Sequence, residues 1–565
     1  MIGARSSSPS AEHPIVTHDS RVASTAFSRT LAGPLAVLAL AAATLAPPAR
    51  ASFIESLGQG SRAIGLGNAF IGVADDLTAN YYNPAGLTQL IGGAKSDSMF
   101  TTSMVALQLH YREPVIENRS RVGVNEKIEM DDEFPSWAAE PTAPFGLEIG
   151  DRLYVVPFPI QIPFAGSVQF PFSRGDARYS AAEVGQIFVT WSPSMAIKAN
   201  DWLSVGVGFD LMIATDVWQK AAIGDGAVCE DLQGATGGLI PCNKPVEEGG
   251  FGTRNGVDDG YTLLRAAQEF RTGLSPVNDV NLDLRTPGFH AGVMMFPRED
   301  LRIGFVYRSA LTPTIPGRLE SHFEEAITRP GGTYNGALLY LPEDATRFEL
   351  EFPLPQEVGA GFSYDLSDQW MIALDWTWVD WDGARNKDVI KIKNPDGLSP
   401  ITILPQGLGG IPLGPITVPG FQTLLIPRDG WTSVHSLRGG VEWKPIDGLR
   451  VDAGIWWDPT PTPDSDFTPD SDPGDRLVYS GAIGYYGLMD GMIDIAGHLQ
   501  WITIETRHIA VGESRNLGGS ISLPAITLGE DSSGEPSYPF YPNDTFAMDF
   551  GGRIINWGLT LTIHL

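Results

Sequence analysis

Several stretches of the chain alternate large apolar residues with small or polar ones. The alternation is clear in residues 188–198, 202–211, 369–378, 449–457 and 553–565. A period of two is typical of a β-strand whose two faces meet different surroundings. One face of these segments is apolar and the other is largely Gly, Ser, Asp and Ala, with Trp and Tyr near the segment ends. Lipid-facing strands of a transmembrane β-barrel have this pattern.

The links between the predicted strands alternate in length. Short turns, such as residues 150–151, 199–201, 297–300, 365–368 and 445–448, alternate with much longer links. An outer-membrane barrel has short turns at its periplasmic rim and long loops at its extracellular rim. The sequence therefore predicts an all-β fold, a 14-stranded antiparallel transmembrane β-barrel in a Gram-negative outer membrane, with both chain ends on the periplasmic side.

Composition narrows the remaining classes. Of 565 residues, 67 are acidic and 38 are basic, so the formal net charge is −29, and 2 are Cys. Proteins bind nucleic acid through clustered Lys and Arg, and the sequence has no run of these residues, so no nucleic-acid partner is expected. Two cysteines also exclude a disulfide scaffold and a multi-thiolate metal site.

The N-terminal region has the features of a targeting signal. Residues 31–46 are apolar, Arg21 and Arg29 precede them, and Ala49 and Ala51 form an A-x-A cleavage pattern. These features predict a secretory signal peptide over residues 1–51, with a single N-terminal membrane anchor as the alternative. No later apolar run approaches the roughly 20 residues that a membrane helix requires.

The next segment lacks the strand pattern. Residues 52–93 are apolar and rich in glycine, with short helical pieces and the tetrapeptide Asn83-Pro84-Ala85-Gly86. A fourteen-stranded barrel has an interior wide enough to hold such a segment. We therefore predict a partly helical hatch over residues 52–98 that plugs the lumen, and the barrel over residues 99–565.

Residues 65–90, GLGNAFIGVADDLTANYYNPAGLTQL, resemble the N-terminal signature of the FadL/TodX family of outer-membrane transport proteins. Residues 354–358, 376–381 and 458–476 resemble other family segments in the same order. The chain ends in Leu565, whereas such barrels usually end in an aromatic residue. The resemblance implies uptake of hydrophobic molecules, a ligand site inside the barrel above the hatch, and lateral release into the bilayer through a kinked third strand.

Long-chain fatty acids are the favoured substrates, and aromatic hydrocarbons are the alternative. The residues do not distinguish them, because both substrates require apolar walls. A general porin, an outer-membrane esterase and an adhesin are less favoured. The sequence has no G-x-S-x-G, H-E-x-x-H or P-loop motif, so no enzyme, cofactor or metal is expected. The expected partners are a hydrophobic ligand, outer-membrane lipid, lipopolysaccharide and the barrel-assembly machinery, and the resemblance suggests a monomer.

The candidate gating residues of the hatch are Asn83, Pro84, Ala85 and Gly86. Pro84 fixes its own φ angle and Asn83 can close a turn over the following residues, so the expected role is conformational. The alternative is a turn that serves folding alone. Phe53 corresponds to a family position that reaches the internal ligand site, with a disordered tip as the alternative.

Three prolines, Pro157, Pro159 and Pro163, lie in the third-strand region. Proline removes hydrogen bonds from a strand ladder, so it occurs at strand edges and bulges. These residues predict a break in the barrel wall that serves as a lateral exit. The alternative is that they lie beyond the strand, in its loop.

The long loop of residues 220–278 carries two further candidates. Residues 261–270 have apolar residues at helical spacing, so a helix with Leu263, Leu264 and Ala267 on one face is predicted to line an outer ligand groove or to pack on the rim. Cys229 and Cys242 are predicted to form a disulfide, because the compartment is oxidising.

A second loop is acidic. Its aspartates resemble the oxygen-rich ligand sets of Ca²⁺ sites. Acidic extracellular loops are usually solvated, so no metal site is expected there. The residues are Asp464, Asp466, Asp470, Asp472 and Asp475.

Overall fold

The computed structural model describes most of the chain after the predicted signal peptide. Phe53, Cys229, Cys242, Leu263 and Leu264 lie outside the described residues. The described residues are 54–55, 57–113, 128–139, 143–169, 183–223, 265–274, 287–325, 327–329, 332–334, 346–384, 387–392, 401–403, 416–418, 423–427, 430–467, 474–510, 513–514, 529–530, 536–537 and 548–565.

Fourteen strands form a closed antiparallel β-barrel, as the sequence predicts. Several strands consist of two pieces. We call the piece next to the short turns the inner piece and the piece farther along the barrel axis the outer piece, so these two names do not refer to the lumen. The strands are β1 (Ser96–Glu113), β2 (Ile128–Ala139 and Phe145–Ile149), β3 (Leu153–Val156 and Ile160–Gln169), β4 (Glu183–Trp191 and Ser194–Asn200), β5 (Leu203–Ile223), β6 (Arg265–Leu274 and Gly288–Arg298), β7 (Leu301–Arg308 and Thr314–Glu325), β8 (Thr346–Glu351 and Glu357–Ser367), β9 (Trp370–Val379 and Lys387–Ile392), β10 (Thr423–Pro427 and Val434–Ile446), β11 (Leu449–Asp458), β12 (Arg476–Gly487), β13 (Ile493–Ile509) and β14 (Met548–His564).

The first and last strands close the barrel. β1 pairs with β14 from Asp97 opposite His564 to Arg112 opposite Asp549. Beyond this ladder, the backbones of Ser96 and Leu565 exchange two hydrogen bonds of 3.0 and 2.8 Å. The first strand thus begins three residues before the predicted boundary at residue 99, and the ladder reaches the C-terminal residue.

The prediction of a helix over residues 261–270 is wrong in its described part. Arg265–Leu274 is the outer piece of β6, and it pairs with β5 on one edge and with β7 on the other. The ladders with β5 and β7 supply hydrogen-bond partners to the backbone groups on both edges of this piece. The local spacing of apolar residues carries no information about such partners.

The period-two alternation gives each wall strand one face on the barrel surface and one face toward the lumen. In β9, Trp370, Leu374 and Trp376 are exposed at the barrel surface, whereas Asp375 and Thr377 are buried inside. The neighbouring inner piece of β10 has the same pattern, with buried polar residues between exposed apolar ones. Apolar side chains therefore face lipid and polar side chains face the lumen.

The helices are short. Two α-helices lie before the barrel, α1 (Ser61–Gly65) and α2 (Ala79–Tyr82), and a 3₁₀-helix, Pro84–Leu90, follows them. A further α-helical turn, Trp381–Ala384, follows the inner piece of β9, and a 3₁₀ turn, Asp464–Asp466, follows β11. No helix in the described part of the chain is long and apolar enough to cross a membrane.

The lipid-facing assignment can be tested by placing a charge at two depths. Leu374 lies at the middle of the inner piece of β9, and Leu366 lies at the end of β8 beside a short turn; both are exposed. We expect Leu374→Arg to lower the free energy of unfolding by about 2–4 kcal/mol and Leu366→Arg by about 0–1 kcal/mol. Denaturant titration in lipid vesicles measures both values, and equal losses would contradict the assignment.

Candidate functional site

Residues 57–93, here called the N-terminal segment, lie against the inner faces of strands on several sides of the barrel. Its backbone and side chains reach β14, β9, β8 and the link inside β4. The hydrogen bonds are Ser61 N to Thr560 Oγ1 at 2.8 Å, Ile71 N to Asp375 Oδ2 at 2.7 Å, Ser363 Oγ to Gly72 O at 3.0 Å, and Asn80 Nδ2 to Ser192 O at 3.2 Å. The apolar side chains of the segment are buried, among them Ile64, Leu66, Phe70 and Leu77.

Glycines in the wall allow the segment to approach closely. A Cβ atom at Gly304 of β7 would lie 2.1 Å from the carbonyl oxygen of Ile71, and one at Gly454 of β11 would lie 2.1 Å from the backbone nitrogen of Gly67. These distances are far below van der Waals contact, so a side chain at either position would displace the segment. The wall sequence is therefore fitted to this occupant.

The tetrapeptide Asn83-Pro84-Ala85-Gly86 fixes the middle of the segment to the wall. The Asn83 side chain accepts a hydrogen bond from Ala85 N at 3.2 Å, and its Nδ2 donates to Ile71 O at 3.0 Å and to Val293 O of β6 at 3.2 Å. Pro84 begins the 3₁₀-helix, where its missing N–H costs nothing. Asn83 thus joins two parts of the segment to one wall strand.

The three prolines that the sequence analysis singled out lie between or within the two pieces of the third strand, and none lies in the loop beyond it. Pro157 and Pro159 lie in the link between the two pieces of β3, and Pro163 lies within the outer piece. The ladder between β3 and β4 shifts register between Gln161 and Phe164, next to Pro163. Proline at a bulge and in a strand interruption agrees with its missing donor.

The ladder is interrupted at this place. In the described part of the chain, the outer piece of β2 pairs with β1 alone, and the outer piece of β3 pairs with β4 and with the short strand Ile54–Glu55. The inner pieces of β2 and β3 are joined over Leu147–Ile149 and Leu153–Val155. We call the interval between the two outer pieces the wall break.

A buried polar cluster includes Gln161, the second residue of the outer piece of β3. Arg308 of β7 donates from Nη1 to Asp210 Oδ1 at 3.1 Å and to Gln161 Oε1 at 3.5 Å, and from Nη2 to Tyr81 O at 3.2 Å. His290 Nδ1 lies 3.1 Å from Asp210. The cluster therefore links the N-terminal segment, through Tyr81, to Gln161 at the start of the outer piece of β3.

Two nitrogen atoms of this cluster have no hydrogen-bond partner among the described residues, Gln161 Nε2 and His290 Nε2. Gln161 is 1% exposed and His290 is fully buried. Burying an amide without a partner is costly, so Gln161 Nε2 retains a donor for another group. His290 and Asp210 resemble part of a hydrolase triad, but no described hydroxyl bonds His290 Nε2, so this pair lacks a nucleophile.

The sequence analysis did not single out Gln161, Asp210, His290 or Arg308. Their only signal in the sequence is a polar residue at an inward-facing position of a strand, and many other positions share that signal. In the acidic loop, Asp464 pairs with Arg507 and Asp466 accepts from Trp431 Nε1 at 2.6 Å, so both have protein partners.

Comparison with protein families gives a match over residues 41–515 to the outer membrane protein transport protein family, OMPP1/FadL/TodX. The chain belongs to this family. Its members are transporter channels of the outer membrane, so the protein is an outer-membrane β-barrel for uptake of hydrophobic compounds and not an enzyme. A search of curated protein sequences finds no match.

Three solved structures of similar fold illustrate the likeness. A FadL homologue from Pseudomonas aeruginosa is 16% identical with a TM-score of 0.60, covering 91% of this chain and 99% of its own. The toluene transporter TodX of Pseudomonas putida is 11% identical with a TM-score of 0.52, covering 91% and 100%. The toluene transporter TbuX of Ralstonia pickettii is 12% identical with a TM-score of 0.50, covering 90% and 98%. At these identities the likeness establishes the fold.

Replacing Asn83 tests how firmly the N-terminal segment is held. Asn83→Ala leaves Ile71 O, Val293 O and Ala85 N without this partner, at about 1–3 kcal/mol for each buried group. We expect amide hydrogen exchange in residues 57–93 to quicken on the order of tenfold or more, because 1.4 kcal/mol corresponds to a factor of ten. Mass spectrometry of the exchanged peptides measures this.

Asn200→Ala is the matched control for Asn83→Ala. Asn200 lies at an exposed short turn, where its side chain accepts from Trp202 N at 3.0 Å. Exchange in the N-terminal segment should stay unchanged in this variant. Equal exchange rates in Asn83→Ala and the wild type would show that the tetrapeptide does not hold the segment.

Proposed function

We propose that the protein takes up long-chain fatty acids passively across the Gram-negative outer membrane. The ligand enters the lumen from the extracellular side, meets the N-terminal segment, and leaves through the wall break into the bilayer. In this proposal the N-terminal segment is the hatch, and Asn83-Pro84-Ala85-Gly86 hold it. The protein acts as a monomer after removal of residues 1–51, inserted by the barrel-assembly machinery among lipopolysaccharide and lipid.

The wall break is the observation that carries the proposal. Where wall strands are joined to their neighbours, the backbone ladder separates an apolar ligand in the lumen from lipid; among the described outer pieces, Thr423–Pro427 of β10 also has a ladder on one edge only. At the wall break, prolines interrupt β3, and its outer piece does not pair with β2 in the described part of the chain. A chain that leaves here enters lipid without crossing water, which would cost about 0.8 kcal/mol for each CH₂ exposed.

The polar cluster supports a fatty acid over a hydrocarbon. Gln161 Nε2 has no partner among the described residues, and it belongs to a residue next to the wall break. A carboxylate accepts hydrogen bonds from such an amide and is attracted by the nearby charge of Arg308, whereas toluene offers no acceptor. Aromatic hydrocarbons are the second candidate, because two of the structural neighbours are named toluene transporters.

Uptake in cells tests the substrate directly. We expect tritiated oleate to enter cells that carry the gene several-fold faster than cells that lack it, with little gene-dependent entry of toluene. Gln161→Leu should reduce oleate uptake and leave any toluene uptake unchanged, since it removes the amide and keeps an apolar side chain. Gln369→Leu, at an exposed short turn, is the control. Gene-dependent uptake of toluene alone would reverse the substrate assignment.

The wall break itself is tested by restoring strand-forming residues. Pro157→Ala with Pro159→Ala gives the link inside β3 two backbone donors, so the ladder can extend across it and narrow the exit. We expect oleate uptake to fall several-fold at unchanged amounts of folded barrel. Pro297→Ala with Pro445→Ala, near short turns away from β3, should leave uptake as in the wild type. Full uptake in the β3 double variant would exclude this exit.

A further inference from the structure

A buried arginine ties the N-terminal segment to the wall by charge. Arg62 of α1 is 5% exposed, and its Nε lies 2.6 Å from Oε2 of Glu442, a fully buried residue of β10. Its Nη1 forms an ion pair with Asp75, thirteen residues further along the same segment. Arg62 therefore bridges two parts of the segment and one wall strand.

The two carboxylates of these ion pairs also contact wall cations. Lys444 Nζ lies 3.1 Å and Arg450 Nη1 lies 3.8 Å from Glu442, and Arg302 Nη1 of β7 lies 3.7 Å from Asp75. Charge thus connects the segment with β7, β10 and β11. Removing Arg62 would take away the cation that lies between Glu442 and Asp75.

A cavity of about 110 Å³ with a mixed lining lies beside Arg62. The segment contributes Ser61, Arg62 and Asp75 to its lining, and the wall contributes Arg450, Asp494 and His564. These wall residues lie at strand ends next to the short turns, so the cavity is on the periplasmic side of the segment. These charged groups share the lining with apolar side chains, among them Leu77, Leu90 and Met99.

The segment is held differently against β4 and β6. There, Asn80 donates to Ser192 O, and Asn83 donates to Val293 O. A Cβ at Gly292 of β6 would lie 2.0 Å from Asn83 Oδ1, so this side is in direct packing contact. Neutral hydrogen bonds and close packing hold the segment against β4 and β6, whereas beside the cavity buried ion pairs are added to such contacts, for example to the bond from Ser61 N to Thr560 Oγ1.

We propose that Arg62 is a latch that keeps a polar path through the barrel closed. Its ion pairs with Glu442 and Asp75 hold the segment against β10, and their loss lets the segment move away on that side. The periplasmic cavity then joins the lumen, and ions pass. This inference goes beyond fatty-acid uptake, since it concerns ion conductance at a different side of the segment.

The shared ion pair makes the latch testable. Arg62→Gln breaks the pairs with Glu442 and Asp75, and Glu442→Gln breaks the first of these pairs, so the two changes remove the same tie to β10. The wall strands β10 and β11 are joined by their own ladder, so the loss of Arg62 acts on docking of the segment. The effects of the two changes on conductance should therefore not add, whereas independent losses of packing would add.

The experiment uses the full-length protein in planar lipid bilayers with potassium chloride on both sides. We expect Arg62→Gln to raise the mean conductance per barrel at least tenfold over the wild type. Arg298→Gln, which removes the exposed arginine of the Arg298–Asp300 pair at a short turn, should conduct as the wild type does. Circular dichroism and gel mobility with and without heating report whether each variant forms the barrel.

The double variant Arg62→Gln with Glu442→Gln separates the latch from a structural role. The latch predicts that the double variant conducts about as much as Arg62→Gln alone, because both changes break the same ion pair to β10. A folded Arg62→Gln barrel with wild-type conductance would overturn the proposal, and so would a double variant that conducts clearly more than the single one. If Arg62→Gln forms no barrel, the single variant Glu442→Gln tests the latch instead. The latch predicts that its conductance exceeds that of the wild type, and wild-type conductance would contradict the latch. Oleate uptake by wild-type cells tests the proposed function separately.

Discussion

Backbone hydrogen bonding in the bilayer is the constraint on which this structure depends. Lipid offers no partner to a free N–H or C=O, so a sheet that crosses it must close on itself. β1 meets β14 along most of its length and completes that closure. The wall break leaves backbone groups without a partner strand, which costs free energy. Three prolines lie beside it, and they lower this cost because proline has no N–H to leave unpaired.

Closure also dictates what the lumen contains. Every second residue of a wall strand points inward, and the inward set contains glycines and polar or charged residues together with some large apolar ones, such as Met294, Met371 and Trp456. Small residues such as Gly304 and Gly454 admit the backbone of the N-terminal segment, whereas charged residues such as Glu442 pair with it. Packing is therefore close where the wall has glycine, and electrostatic where the wall has a charge, and β10 supplies both kinds of contact at Gly440 and Glu442.

Much of the fold was predictable because the period-two pattern is local. The alternation in residues 369–378 identified β9 and both of its faces, and short turns such as residues 445–448 identified the periplasmic rim. The outer pieces were harder. Arg265–Leu274 has apolar residues at helical spacing in its neighbourhood, yet it forms a strand because β5 and β7 supply partners on both edges. Pairing between distant strands overrode the local pattern there.

The sequence by itself determined the barrel, the approximate number of its strands, the rim on which its short turns lie and the presence of an unusual segment with Asn83 and Pro84. The tertiary structure alone decided which inward residues meet. Arg62 and Glu442 are 380 positions apart, and Gln161 and Arg308 are 147 apart. Alternation fixes the face on which a side chain lies, but its partner depends on the register of every intervening strand and on the path of the segment through the lumen.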